Sequence, residues 1–183
     1  QQFQRASTLI CACELIRREM PDLLGDSKIT VGLWIGGSST PNTLNDAFNN
    51  LDALLSGTES ENPFQVLICP WCGTRLTKDK DKGSWGYTKG NRPKRFKIHC
   101  TETSCVFYDE LPILVVDEDI YRNPPTLLFG TVDKFALLPW KQEVKNIFGL
   151  SSDVLSPELI IQDELHLISG PLGTMVGLYE TAV

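Results

Sequence analysis

Two groups of residues have the types and spacing to do chemistry. The first is "LIIQDELH" (159–166), where Asp163 and Glu164 follow an apolar run and His166 stands two residues on. Adjacent acids at the end of a strand point in different directions. One can hold a divalent cation through water while the other polarises an attacking water, and His166 can join the phosphate side to another part of the protein. The same letters also suit a solvated acidic turn. The second group is Cys69-x2-Cys72 and Cys100-x4-Cys105, separated by 27 residues. Two turn-borne thiol pairs at this spacing fit a tetrahedral zinc site, and "CPWCG" has the form of a zinc knuckle. His99 in place of Cys100, and reduced cysteines without metal, are the open alternatives. Nothing points to secretion, so the compartment reads as reducing and cytoplasmic, and a disulfide is disfavoured.

The acidic pair needs a partner that the sequence does not supply. The phosphate-binding pattern G-x-x-x-x-G-K-[ST] does not occur, and there is no Gly-Lys pair. "GGSSTPNT" (36–43) is glycine-rich but has no lysine, so it is not read as a phosphate loop. Gly36 and Gly37 could instead let backbone approach a phosphate closely, or simply turn the chain. In "FGTVDKFALL", the Thr131 hydroxyl and the helix N-terminal amides could hold a phosphate, or Thr131 could be a plain cap. Lys134 and Arg95 are further candidates for nucleic-acid contact.

Charge is unevenly distributed. The 183 residues carry 17 basic and 23 acidic side chains, a net −6. Between Arg75 and Lys97 there are nine basic residues and two acids, or +7; the remainder has eight and 21, or −13. Trp71, Trp85, Tyr87 and Phe96 lie in or beside this basic stretch, a mixture that suits single-stranded nucleic acid. A solvated lysine loop or a protein-docking surface reads the same way. No run of about 18 apolar residues exists, so no membrane partner is expected.

The elements that must position these residues alternate between helix and apolar strand. Residues 3–20 have helical periodicity with Phe3, Ala6, Leu9, Ile10, Cys13, Ile16 and Met20 on one face, and Pro21 ends the run. Cys11 and Cys13 read as ordinary small core residues on different faces. "KITVGLWIGG", "FQVLI", "LPILVVDE", "PTLLFG" and "PELIIQDE" read as strands. "PNTLNDAFNNLDALLSG" reads as a helix capped by Asn42 or Thr43 and stopped near Gly57. "TVDKFALLPW" and "KQEVKNIFGL" read as short helices, and "GTMVGLYETAV" as the start of another. Such alternation predicts an α/β fold with a parallel sheet covered on both faces. Residues 69–110 break the rhythm and are read as an inserted zinc-ribbon module between 1–68 and 111–183. Both ends of the sequence read as falling within elements, as in a piece of a longer polypeptide.

"ITVGLWIGG", "PTLLFGTVDKFALL" and "LIIQDELH" occur in the order that resembles the first RecA-like domain of superfamily 2 helicases. The resemblance likens them to the double glycine at the nucleic-acid backbone, to motif Ib and to a DExH box. "QQFQRASTLICACE", "GLWIGGSSTPNT", "FGTVDKFALL" and "IIQDELHLISGPLGTMVGLYE" narrow it to the helicase subunits of the DISARM anti-phage system. That resemblance implies a three-layer RecA-like domain and ATP-dependent translocation on, or remodelling of, DNA or RNA. Asp163 would hold Mg²⁺, Glu164 would activate water and His166 would couple to a second motor domain. Further partners would be the rest of the helicase chain and other defence-system subunits. The rival expectation is a non-catalytic zinc-ribbon adaptor for nucleic acid or protein, with DELH as a relic.

Overall fold

The computed structural model describes residues 1–58, 61–77, 85–150 and 155–163. Its centre is a parallel three-stranded sheet of β1 (Val31–Trp34), β4 (Ile113–Leu114) and β5 (Leu127–Gly130), in the order β4-β1-β5. Val31 pairs with Ile113 on one side and Leu127 on the other, and Trp34 faces Gly130. The alternation along β1 divides its side chains between two apolar clusters. Val31 and Leu33 join one with Ile113 and Phe129, whereas Trp34 joins the other with Leu114 and Leu128. Helices α1 (Gln2–Glu19) and α3 (Leu44–Ser56) feed the first cluster. Helix α4 (Asp117–Arg122) and a 3-10 helix (Gln142–Phe148) feed the second. The expected parallel sheet covered on both faces is therefore present.

Helix α1 has the expected extent but buries a different face. The inward stripe is Ser7, Ile10, Cys11, Glu14 and Arg17, whereas Leu9, Ile16 and Met20 are exposed. The reason is a buried charge cluster that apolar periodicity cannot reveal. The Glu14 carboxylate accepts from Arg17 at 2.8 and 2.9 Å, from Arg18 at 2.9 Å and from the Ile29 N–H at 2.9 Å. The third Arg17 nitrogen donates to the Gly25 carbonyl at 3.0 Å. Burial opposes the Glu14 charge, but these bonds win and hold its carboxyl down at about 2. The short α2 (Pro21–Leu24) starts at the expected proline break.

Three expected strands differ. Residues 64–68 make only one isolated bridge, Ile68 to Arg75. Gln65 has φ of 60°, and the Val66 N–H turns back to the Phe64 carbonyl at 2.8 Å, so the chain cannot stay extended. "LPILVVDE" is strand only at Ile113–Leu114 before it turns into α4. The Asp117 and Glu118 N–H groups donate to the Pro41 and Asn42 carbonyls, which draws the chain off the sheet. Residues 155–163 pair with no described strand, and Leu159, Ile160 and Ile161 are exposed. An apolar run encodes a preference for burial without naming what covers it, and no described element covers this one.

The remaining strands, β2 (Tyr87–Asn91) and β3 (Lys94–Ile98), form an antiparallel hairpin with Tyr87 opposite Ile98. The inward residues Tyr87, Phe96 and Ile98 share the first cluster with Val31, Leu44 and Leu51. Phe64 stacks on Phe96 with centroids 4.3 Å apart. The hairpin thus completes the same core that covers the sheet. A short α5 (Val132–Phe135) follows β5.

Candidate metal centre

The first cysteine pair sits on a tight knuckle. The Cys69 N–H donates to the Thr74 carbonyl at 2.8 Å and the Gly73 N–H to the Cys69 carbonyl at 2.9 Å. Gly73 has φ of 77°, a left-handed position that glycine takes without strain. The second pair is closed by the Cys100 N–H donating to the Phe107 carbonyl at 2.9 Å and the Cys105 N–H to the Glu102 carbonyl at 3.0 Å. The hairpin connects the two turns: the His99 N–H, just past β3, donates to the Gly86 carbonyl just before β2.

These turns bring the Sγ atoms of Cys69, Cys72, Cys100 and Cys105 within 4.8 Å of one another. Cys72 Sγ and Cys100 Sγ are 3.4 Å apart, and all four thiols are free. A tetrahedron with arms of about 2.3 Å has sulfur–sulfur edges of about 3.8 Å, so the four sulfurs are close enough to surround a metal ion such as zinc. The cluster contains Cys100 and not His99, whose Nδ1 lies 2.9 Å from the Cys100 carbonyl oxygen.

The electrostatics also fit a cation. Burial pushes the Cys69 thiol up to about 11 and raises Cys100 as well. At Cys72 burial is outweighed by the hydroxyl and backbone N–H of Thr74 and by the neighbouring thiols, which bring it down to about 7. A coordinated cation removes the cost of the buried thiolates, because a ligating thiol is deprotonated outright. A metal held by all four sulfurs would have no open position for substrate, as in structural sites.

Helix α1 abuts this centre. Thr8 donates its hydroxyl to the Pro70 carbonyl at 3.0 Å, and the Arg18 guanidinium lies 5.2 Å from the centroid of Phe107. Cys11 is fully buried, and burial together with Cys69 and Cys105 pushes its thiol up to about 12. Cys11 is core, as its sequence context predicts, but its place beside the cluster is not legible there because the contact spans distant residues.

The other predicted site residues divide as follows. Gly36 and Gly37 follow β1, and Thr131 follows β5, so parallel pairing brings them to the same end of the sheet. The Thr131 N–H donates to the Trp34 carbonyl at 3.2 Å, and its hydroxyl makes no cap bond to α5. Lys134 was expected on a nucleic-acid face. It is only 4% exposed, and its ammonium is paired with Asp117 and donates to Asn42 Oδ1 at 3.1 Å. Arg95 is partly exposed and lies 3.6 Å from Glu110. Lys89 and Lys94 turn toward α3, where they meet Asp52 and Asn45 and lie 5.4 and 5.1 Å from the Phe48 centroid. Arg92, at the hairpin tip, is exposed. Asp163 is exposed and accepts a hydrogen bond from the Gln2 amide at 3.3 Å. Glu164, His166 and the helix expected at 173–183 lie outside the described residues, as do Lys78, Lys80 and Lys82.

No family model matches the chain. Over 221 aligned residues it is 37% identical to "DISARM protein DrmA" of Bacillus paralicheniformis. The match covers 100% of this chain and 19% of that protein, so the chain spans about a fifth of the length of the curated relative it matches. Among the described residues, no helix is long and apolar enough to cross a membrane.

Proposed function

We propose that this chain is part of a DISARM-type anti-phage protein, an ATP-driven nucleic-acid motor whose RecA-like sheet is braced by a structural zinc ribbon. The observation that carries the reading is the 37% identity to the DISARM protein, which runs over the whole chain. The geometry supports it in two ways. In parallel α/β sheets ligands bind beyond the carboxyl ends of the strands, where Gly36, Gly37 and Thr131 stand together. The four-cysteine cluster would hold one zinc ion through Cys69, Cys72, Cys100 and Cys105, which would fix the basic hairpin beside α3. In this reading nucleic-acid backbone lies against the strand ends, with Arg92 and Arg95 adding charge from the hairpin.

Asp163, Glu164 and His166 carry the proposed motor chemistry. The sequence holds no lysine-bearing phosphate loop, so these residues serve hydrolysis only together with chain that supplies one. The test uses the full-length protein and its Glu164→Gln variant. The amide keeps the shape of the carboxylate but cannot polarise a water. Nucleic-acid-stimulated ATP turnover should fall about 100-fold or more while nucleotide binding persists. Turnover at the parental rate removes Glu164 from the mechanism.

A second reading, the non-catalytic zinc-ribbon adaptor, draws on the position of residues 155–163 outside the described sheet. On that reading nucleic-acid or protein binding depends on zinc and is indifferent to ATP, and the full-length parent shows no turnover.

A further inference from the structure

Five polar side chains from four stretches of the chain meet at the carboxyl end of the sheet. The Trp34 indole at the end of β1 donates to the Tyr121 hydroxyl at 3.0 Å, and that hydroxyl donates to Asp117 Oδ2 at 3.2 Å. Lys134, in α5, bridges Asp117 to Asn42. Asn42 closes the loop that begins with the double glycine, and its backbone carbonyl accepts from the Glu118 N–H at 3.1 Å. Its side chain fills the space over Gly37 so closely that a Cβ there would lie 2.5 Å from the Asn42 amide nitrogen. Trp34, Asp117, Tyr121 and Lys134 are all buried.

A buried ion pair is a poor way to gain stability, since desolvation consumes most of the attraction. In some proteins such a pair instead fixes one arrangement of the parts it joins. Here the parts are the loop 36–43 and the turn from Thr131 into α5. No atom of Lys134 need reach solvent for it to matter to a ligand at those two places.

We propose that Lys134 is a positioning residue: with Asp117 and Asn42 it clamps the double-glycine loop to the Thr131 turn, so that two backbone-lined phosphate contacts are preset. The proposal rests on the nucleic-acid reading above but makes a separate claim, that this lysine acts through the loop and touches no phosphate. A lost phosphate contact lowers the salt slope of binding by about one unit. A lost clamp leaves the slope alone and lowers affinity by the fraction of molecules with the loop in place, so a loop in place about one-tenth of the time weakens binding about tenfold.

The experiment uses the full-length parent, Asn42→Ala, Lys134→Met and the double variant Lys134→Met/Asp117→Asn, which removes both charges if the single change fails to fold. Binding of labelled oligo-dT and oligo-U is measured over a range of salt, and amide exchange is followed at 36–43. Expected is about tenfold weaker binding of either strand at an unchanged salt slope, with faster exchange at 36–43 and none in the zinc hairpin. A slope lower by about one unit would make Lys134 a direct phosphate ligand and overturn the proposal. So would unchanged exchange at 36–43 in all variants. If the parent binds neither oligonucleotide, the nucleic-acid reading fails, and the exchange data alone decide whether the clamp exists.

Discussion

Asp119 shows how a single buried carboxylate can set a protein's response to pH. It sits in α4, and its Oδ2 accepts the Phe96 N–H of β3 at 3.2 Å, which ties helix to hairpin. Burial pushes its carboxyl up to about 6, against the pull of the Phe96 N–H and Arg122. A carboxyl whose folded value is raised costs stability where it is charged. Its penalty is therefore present above about pH 6 and disappears as pH falls toward the unfolded value of about 4. Asp119→Asn keeps an acceptor for Phe96 and removes the charge. Denaturant unfolding should show the variant more stable by about 1–3 kcal/mol at pH 7.5, with the parent's gain between pH 6 and 4 abolished. A less stable variant at pH 7.5 would mean that the charge itself holds α4 to the hairpin. Glu14 acts in the opposite sense: its lowered carboxyl contributes stability above about pH 4.5 that is lost as pH falls toward 2.

At the scale of elements, the helix of residues 44–56 was the most legible because its signals are local. Thr43 caps α3 by accepting from the Asp46 N–H at 3.1 Å, Asp46 accepts from the Thr43 N–H at 3.2 Å, and the helix closes at Gly57. Thr43→Ala should cost about 1 kcal/mol in thermal or denaturant unfolding, and Thr43→Ser should restore most of it. A loss near zero would mean that the Leu44 N–H, held by Glu118 Oε2 at 2.8 Å, already secures the helix start. The cysteine centre was legible for the same reason, since each knuckle is a local turn. What could not be read depends on partners far along the chain. The inward face of α1 is decided by Ile29 and Gly25, which satisfy Glu14 and Arg17 across the fold. The fate of Lys134 depends on Asp117 and Asn42, 17 and 92 residues away. The local sequence offers Lys134 for nucleic-acid contact because it does not show a buried counter-charge.

At the scale of the whole molecule, the cysteine-bearing hairpin and the sheet share one apolar cluster. Phe64, Tyr87, Phe96, Ile98 and three of the four clustered cysteines, Cys69, Cys100 and Cys105, lie in the same apolar cluster as Val31, Leu33, Leu44 and Ile113, and Cys72 is exposed. Helix α1 is held at the sheet by its Phe3–Phe129 contact, 5.7 Å between centroids, and at the knuckle by Thr8. Removing a metal from the cysteine centre would therefore loosen a wall of the core and not merely an appendage. One zinc per chain is expected by elemental analysis, lost in Cys72→Ser together with Cys100→Ser. A chelator that strips it should lower the midpoint of thermal unfolding, with the near-ultraviolet signal of the hairpin's Trp85 and that of the sheet's Trp34 lost in a single transition. Substituting Trp85 and Trp34 by Phe one at a time separates the two signals. The size of the shift scales with metal affinity, because structural zinc binding free energy is folding free energy, on the order of 10 kcal/mol in small zinc modules. Two separate transitions, with Trp34 unaffected by chelation, would show that the sheet stands without the ribbon. The shared cluster would then be contact between two independent units, and the basic hairpin would be free to move relative to the strand ends that it is proposed to assist.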